Sequence, residues 1–295
     1  MTDQLIKALA FDGQVRLFVL DATKAINEAQ KRHQTWHTAS AVLGRTLIAT
    51  GLLAANLKGQ DRLSVQIKGT GPVGQVVAEG NGKGQVRGYV SNPQVALELN
   101  AKGKLDVAGA VGLPGILQVT KYIDQGQPFS GQVALISGEL GEDFTYYMAT
   151  SEQTPSAIGL SVLVNPDESI ASAGGFMVQV MPGASEETIS LLEKNIQSIH
   201  SLSDLIDQTQ DLNQMIQALV GTSYKLVDQF PVSFVCPCSK ASFGRSLQGL
   251  DKEMMTQLIE EDHGAEVVCH YCNNKYQFSE AELRILRDEA PHSQE

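Results

Sequence analysis

Cys236-Pro237-Cys238 and Cys269-His270-Tyr271-Cys272 contain every cysteine of the 295-residue chain, with 30 residues between the two groups. A tetrahedral metal site needs two short-range pairs carried on two turns, and four thiolates at about 2.3 Å from a closed Zn2+ are its structural form. The second pair is followed by Asn273, which tolerates left-handed backbone, although glycine adopts it at less cost. Zinc modules more often open with about two to four residues between the first ligands, whereas here only Pro237 intervenes. Both sulfurs still reach one ion. Joined to each other they would close a very small ring, and departure from relaxed geometry makes a disulfide easier to reduce. The spacing therefore permits two states, zinc-bound thiolates or the local disulfides Cys236–Cys238 and Cys269–Cys272. A purely structural zinc ribbon, a redox-switched zinc site and a thioredoxin-like dithiol all remain open at this point. His270 could replace a thiolate, but four cysteines already complete the ligand set.

Length suggests roughly two domains, and 42% hydrophobic with 19% charged residues is ordinary for a globular protein. The N-terminus shows no basic stretch followed by an apolar run, so no secretory signal is expected. Cysteines in metal-like pairs then point to a reducing, cytoplasmic compartment. Ala39–Leu57 is apolar, but Arg45 inside it would cost about 2.5–3.5 kcal/mol near a bilayer centre. Thr46, Thr50 and Asn56 add polar load, so a helix buried in a core is expected and no membrane partner. The formal charge of −11 argues against a generic nucleic-acid binder. From Val232 onward there are 6 Lys and Arg against 11 Asp and Glu, so phosphate would be repelled there too.

The chain reads as α+β: an N-terminal core domain of mixed sheet and helix over 1–182, a helical linker over 183–231, and a small zinc-binding domain over 232–295. Phe11-Asp12-Gly13 turns into a strand at Val15–Leu20, and Asp21-Ala22-Thr23 offers caps for a helix over Lys24–His33. A long helix near Thr38–Lys58 should end at Gly59. Glycine-rich turns then punctuate strands in RLSVQIKG, GPVGQVVAEG and GQVRGYVS. Further strands are expected at 116–123, 130–137, 156–164 and 174–181. GEDFTYYMATSEQTPS should be helical to Gln153, with Pro155 forcing the stop and the Glu139–Asp143 carboxylates at its N-terminus. Gly69–Gly74 and Gly80–Gly84 match no phosphate-binding pattern. No nucleophile elbow or zinc-protease helix motif occurs, and His33 with His37 reads as a solvated corner. No catalytic residue is expected.

From Ser185 the pattern turns helical. Ile189, Leu192, Ile196 and Ile199 recur at helical spacing, followed by Leu202, Leu205 and Ile206, then Leu212, Met215, Ile216 and Leu219. Ser185, Ser201 and Asp211 can cap three pieces, and Gly221 can end the last. Such short helices must dock on something. They are either ordinary helices on the sheet or a labile linker that exposes apolar faces when undocked. In the last segment a helix over Leu250–Asp262, a hairpin of Glu266–Cys269 with Lys275–Phe278, and a capping box at Ser279–Glu282 are expected.

CPC, about thirty residues, CHYC and then NNKYQF together resemble the redox-switch domain of the 33-kilodalton heat-shock chaperonin family, bacterial cytosolic holdases. The likeness extends upstream to LIKALAFDGQVR, to the Gly69–Pro72 turn, and to the segments Tyr146–Ser156 and Ala173–Pro182, so it spans essentially the whole chain. Asn273, where glycine is expected in many relatives, departs from the pattern. The resemblance implies that one Zn2+ per chain is held by Cys236, Cys238, Cys269 and Cys272 in the reduced, poorly active form. It further implies that oxidants form the Cys236–Cys238 and Cys269–Cys272 disulfides, release the zinc and unfold the C-terminal domain. The loosened linker then holds unfolding client proteins without ATP, often as a homodimer.

Physical scale agrees with that order of events, since structural zinc contributes about 10–16 kcal/mol to a small module. A domain of some 60 residues has little core of its own. The expected function is thus a redox-regulated, non-enzymatic chaperone of the stress response that protects proteins from oxidative and heat aggregation. Ile189, Leu192, Ile196, Ile199, Leu205, Leu212, Ile216 and Leu219 are its expected client surface. The rivals are a constitutive zinc-ribbon adaptor for a protein or RNA, and a thiol–disulfide oxidoreductase.

Overall fold

The chain begins with two apolar-rich strands, β1 (Gln4–Ala10) and β2 (Val15–Asp21), joined at the tight turn Phe11–Gly13. The computed structural model describes residues 3–124, 126–199, 201–209 and 211–289. Two compact units emerge, Met1–Val235 and Cys236–Glu295.

In the first unit, α1 (Thr23–His33) and α2 (His37–Ala54) follow β2. Then come β3 (Arg62–Lys68), β4 (Gln75–Asn81), β5 (Gln85–Val90), the short α3 (Val107–Val111), β6 (Ile116–Tyr122) and β7 (Phe129–Ala134). After them lie α4 (Gly141–Thr150), β8 (Ser156–Val164), β9 (Ile170–Val180), and the helices α5 (Glu186–Ser198), α6 (Leu202–Thr209) and α7 (Leu212–Val220). The strands β10 (Tyr224–Pro231) and β11 (Ser233–Phe234) close the unit. One sheet has the order β10-β1-β2-β9-β8 and is antiparallel throughout; the other runs β11-β5-β4-β3-β6-β7, with only β11 parallel to its neighbour.

α2, the apolar stretch in question, packs against strands of both sheets. Its buried Thr46 and Thr50 hydroxyls donate to the carbonyls one turn back, at 2.8 and 2.7 Å. Arg45 leaves the apolar face and donates to the Glu139 carboxylate at 2.7 Å. Among the described residues no helix is long and apolar enough to cross a membrane. α2 ends at Ala54 rather than Lys58, and Gly59, at φ 57°, lies in the following turn.

Two other helix expectations shift. α4 ends at Thr150 rather than Gln153, because the chain leaves through Gln153 in the left-handed region, ahead of Pro155. Of its N-terminal carboxylates, Asp143 is fully buried and accepts the amides of Ile136, Ser137 and Leu140, while Glu139 pairs with Arg45. The α1 cap is also supplied from elsewhere. Asp21 accepts the Thr23 amide, but the next two amides, of Lys24 and Ala25, donate to the buried carboxylate of Asp3 at 3.0 and 2.6 Å. His33 and His37 belong to different helices, and His37 Nδ1 lies 3.1 Å from Glu168.

β2 is apolar on both faces. Phe18 and Leu20 join the core around α2, whereas Val15, Leu17 and Val19 form the floor of a second core with Ile6, Phe176 and Val178. The helices α5 to α7 roof that floor with Leu192, Ile206, Leu212, Met215, Ile216 and Leu219. Their caps are as expected: Ser185, Ser201 and Asp211 each accept a first-turn amide, and Gly221 follows α7 at φ 77°. The segment expected as a linker over 183–231 is therefore the outer layer of the first unit, with β10 as an edge strand hydrogen-bonded to β1. The boundary between units falls at Val235/Cys236 instead of 231/232, because β10 and β11 are laid into the two sheets.

In the second unit α8 (Lys240–Leu247), α9 (Lys252–Glu260), the hairpin of β12 (Gly264–Val268) and β13 (Lys275–Ser279), and α10 (Glu280–Asp288) surround a small core. Only Met255, Ile259, Phe278 and Leu283 form its fully buried apolar centre among the described residues. α9 starts two residues later than expected, because Asp251 is its cap and accepts the Met254 amide. The capping box at Ser279 and Glu282 is present. Residues 290–295 of the expected zinc domain lie outside the described residues.

The Gly69–Pro72 turn has a steric reason. A Cβ on Gly71 would sit 2.3 Å from the Ala110 carbonyl oxygen, so the turn can lie against α3 only without a side chain. Gly71→Ala should destabilise the first unit by about 1–3 kcal/mol, measured by denaturant unfolding. Gly126→Ala, whose Cβ would meet nothing nearer than 3.4 Å, should change stability by no more than about 0.5 kcal/mol.

Candidate metal centre

The two cysteine pairs arrive on different local structures. Cys236 and Cys238 lie in the irregular segment just before α8, whose N-cap Ser239 accepts the Ser242 amide and fixes where the helix starts. Cys269 and Cys272 lie in the turn of the β12–β13 hairpin. There the Asn273 amide donates to the Cys269 carbonyl at 2.7 Å, and the Cys269 amide donates to the Asn274 carbonyl at 2.9 Å. This knuckle places Asn273 at φ 60°, the left-handed conformation anticipated for that position.

All four Sγ atoms lie within 4.8 Å of one another. Close approaches cross between the pairs, Cys236 to Cys269 at 3.7 Å and Cys238 to Cys272 at 3.3 Å. Four sulfurs bound tetrahedrally at about 2.3 Å from one ion would be about 3.8 Å apart, so the donor set and its spacing fit a closed metal site. No disulfide joins any of the four, Cys269 and Cys272 being buried and the other two half-buried. His270 is exposed and is not part of the cluster.

Tyr276 is a further contact that spacing arguments did not single out. Its hydroxyl donates to the Cys238 carbonyl at 3.1 Å and stands 3.2 Å from the Cys238 sulfur. The hydrogen bond to Cys238 is the main cause that raises the Tyr276 hydroxyl above its ordinary pKa. The alternation in KYQFS was the available signal: it sends Tyr276 and Phe278 to the same face of β13, toward the core of the unit.

The apolar residues expected to meet clients are not gathered on the surface here. Leu192, Leu212, Ile216 and Leu219 are buried on the first sheet, and Ile196, Ile199 and Leu205 are half-buried against the same cluster. Ile189 is half-buried outside it.

Comparison with known proteins gives a consistent result. The family described as Hsp33 protein matches residues 3–279. The 33 kDa chaperonin of Enterococcus faecalis is 49% identical over 291 residues, covering 98% of both chains. That of Bacillus subtilis is 50% identical over 287 residues, 97% of this chain and 99% of the relative. The crystal structure of the 33 kDa chaperonin from Thermotoga maritima superposes with a TM-score of 0.91 at 37% identity, covering 97% of this chain and 98% of that one.

Burial is the leading cause that pushes the Cys269 and Cys272 thiols above their ordinary pKa. Without a cation these two sulfurs are therefore protonated at neutral pH, and a metal must displace their protons to bind. The apparent metal affinity of the reduced protein should fall as pH falls, by about two decades or more per pH unit for two such thiols. Competition with a chromophoric chelator between about pH 6 and pH 8 measures this; an affinity independent of pH would mean that the thiols are not the ligands.

Proposed function

This chain belongs to the Hsp33 family, and from that membership we propose that it is a redox-regulated, ATP-independent chaperone that holds unfolding proteins. The observation that carries the reading is the cluster of four thiols, unjoined by disulfides, within 4.8 Å in a unit of about 60 residues whose apolar centre is four residues among the described ones. Cys236, Cys238, Cys269 and Cys272 hold one Zn2+ in the reduced state. When bound, the ion would offset about two of the four thiolate charges and tie the segment before α8 to the β12–β13 turn.

Thiolates held deprotonated are the form that oxidants attack. Each pair of thiolates gives up two electrons, and one hydrogen peroxide takes them up with two protons from solvent to become two waters as one S–S bond forms. The bonds join Cys236 to Cys238 and Cys269 to Cys272. This pairing is favoured by the chain itself, since one and two residues separate the partners and keep them together once the cluster opens. A disulfide sulfur is no longer a thiolate ligand, so the second unit loses its cross-link and unfolds.

The client surface lies in the layer formed by α5 to α7. These helices have 13, 8 and 9 residues, too short to persist without packing. Their release uncovers Ile189, Leu192, Ile196, Ile199, Leu205, Leu212, Ile216 and Leu219, together with the sheet face around Leu17 and Val178. Unfolding clients bind there, and the oxidised chain forms a homodimer. The protein works in the cytoplasm, not as an enzyme and without nucleic-acid or membrane partners.

Peroxide with mild heat should release about one zinc per chain, followed with a chromophoric chelator. In the same time course the protein should begin to suppress light scattering from a chemically denatured client enzyme. Zinc release without suppression would contradict the chaperone switch. Retention of zinc, with partner binding unaffected by redox state, would favour the constitutive zinc-ribbon adaptor.

A further inference from the structure

A cavity of about 340 Å³ opens in the first unit where the end of α2, β6, α4 and the last residues of β9 converge. Its volume falls in the range of about 300–1,000 Å³ typical of small-molecule sites. Two of the segments singled out in the sequence, Tyr146–Ser156 and Ala173–Pro182, supply much of its lining. Neither has a part in the cysteine chemistry.

The polar groups divide into a satisfied set and an unsatisfied set. Lys121 and Tyr147 both donate to Glu152, each at 2.6 Å, so that carboxylate and its cation cancel. Arg16 and Gln179 are directly opposite each other on β2 and β9, which puts both side chains on one face of the sheet. Both line the cavity. Among the described residues the half-buried guanidinium of Arg16 has no ion pair or hydrogen bond, and neither has the carboxamide of Gln179, which is only 5% exposed. Neither amide atom of Gln179 is among the fully buried unpaired ones, so the carboxamide meets the open cavity, where a ligand can pair with it.

The ionisable groups lining the cavity are Arg16, Lys121, Glu152 and the Tyr147 hydroxyl, for a net charge of +1 with the tyrosine neutral. Burial, and then the bond to Glu152, push the Tyr147 hydroxyl well above its ordinary range. Leu53, Met148 and Met177 supply apolar wall, beside the uncharged polar Asn56, Gln153 and Thr154. We propose that this cavity binds a small aliphatic monocarboxylate, its head paired with the Arg16 fork and the Gln179 amide and its chain against Met148 and Met177. Arg matches a carboxylate with two parallel hydrogen bonds, and unbranched methionines adapt to a flexible chain. The site stands apart from the redox reading and does not depend on it.

The probe is octanoate, titrated into the full-length, reduced, metal-loaded protein by calorimetry, with methionine methyl resonances followed by NMR. The expected result is saturable binding of one octanoate per chain, with the Met148 and Met177 methyls shifting. Octan-1-ol, and octanoate added to the Arg16→Met variant, should each bind about ten-fold or more weaker, the loss of a charge-assisted pair. Should Arg16→Met fail to fold, Gln179→Leu takes its place with the same expectation. No saturable binding up to about 10 mM, equal affinity for octanol and octanoate, or unchanged binding in the folded variant would each overturn the assignment.

Discussion

Four sulfurs crowded within 4.8 Å of one another cannot all be anions without a cation among them. Unit charges about 4 Å apart repel by about 4 kcal/mol at the effective dielectric near a protein surface. The cluster therefore has three chemical states: protonated, metal-bound, or oxidised to disulfides. Only the metal-bound state uses all four sulfurs as a single cross-link between distant turns. In the proposed switch the second unit depends on that link, its apolar centre being four residues, among the described ones, against more than forty in the main core of the first. Small modules with so little apolar burial commonly need a metal or disulfides to fold.

The first unit has the opposite problem. β2 buries side chains on both faces, so its sheet needs a cover on each. α2 is the permanent cover, buried along most of its length. α5 to α7 are the other, three short helices joined by brief connections and attached through apolar contacts and a few side-chain bonds such as Thr188 Oγ1 to Gln14 Oε1. A layer of that kind can separate as a cooperative piece while the sheet beneath survives. The proposed switch thus pairs a metal-dependent fold with a removable cover that masks an apolar sheet face.

Much of this was legible in the residues themselves. The cysteine spacing brought out the metal cluster, glycine-punctuated alternation marked β3 to β9, and Ser185, Ser201, Asp211 and Ser279 announced helices by local bonds that need no tertiary context. Much of what escaped was non-local, although α8, with its local cap at Ser239, was missed too. β10 pairs with β1 across more than two hundred residues, and its YKLVDQFP is exposed or half-buried along its whole length, so no one-faced pattern marks it as a strand. Asp3 caps α1 from 21 residues upstream, and Tyr276 meets Cys238 from 38 residues away. The apolar run of β2 did carry a clue to the docked helices, since a strand buried on both faces requires a second layer.

In the proposed switch the metal, and not the apolar core, keeps the second unit folded, and losing it loosens the α5–α7 layer. Hydrogen exchange read by mass spectrometry, on the reduced chain before and after chelation, tests this most directly. The account predicts that chelation abolishes protection across α8 to α10 and speeds exchange in α5 to α7, while β2 and β9 stay protected. Persistent protection of α8 to α10 in the metal-free, reduced chain would contradict it.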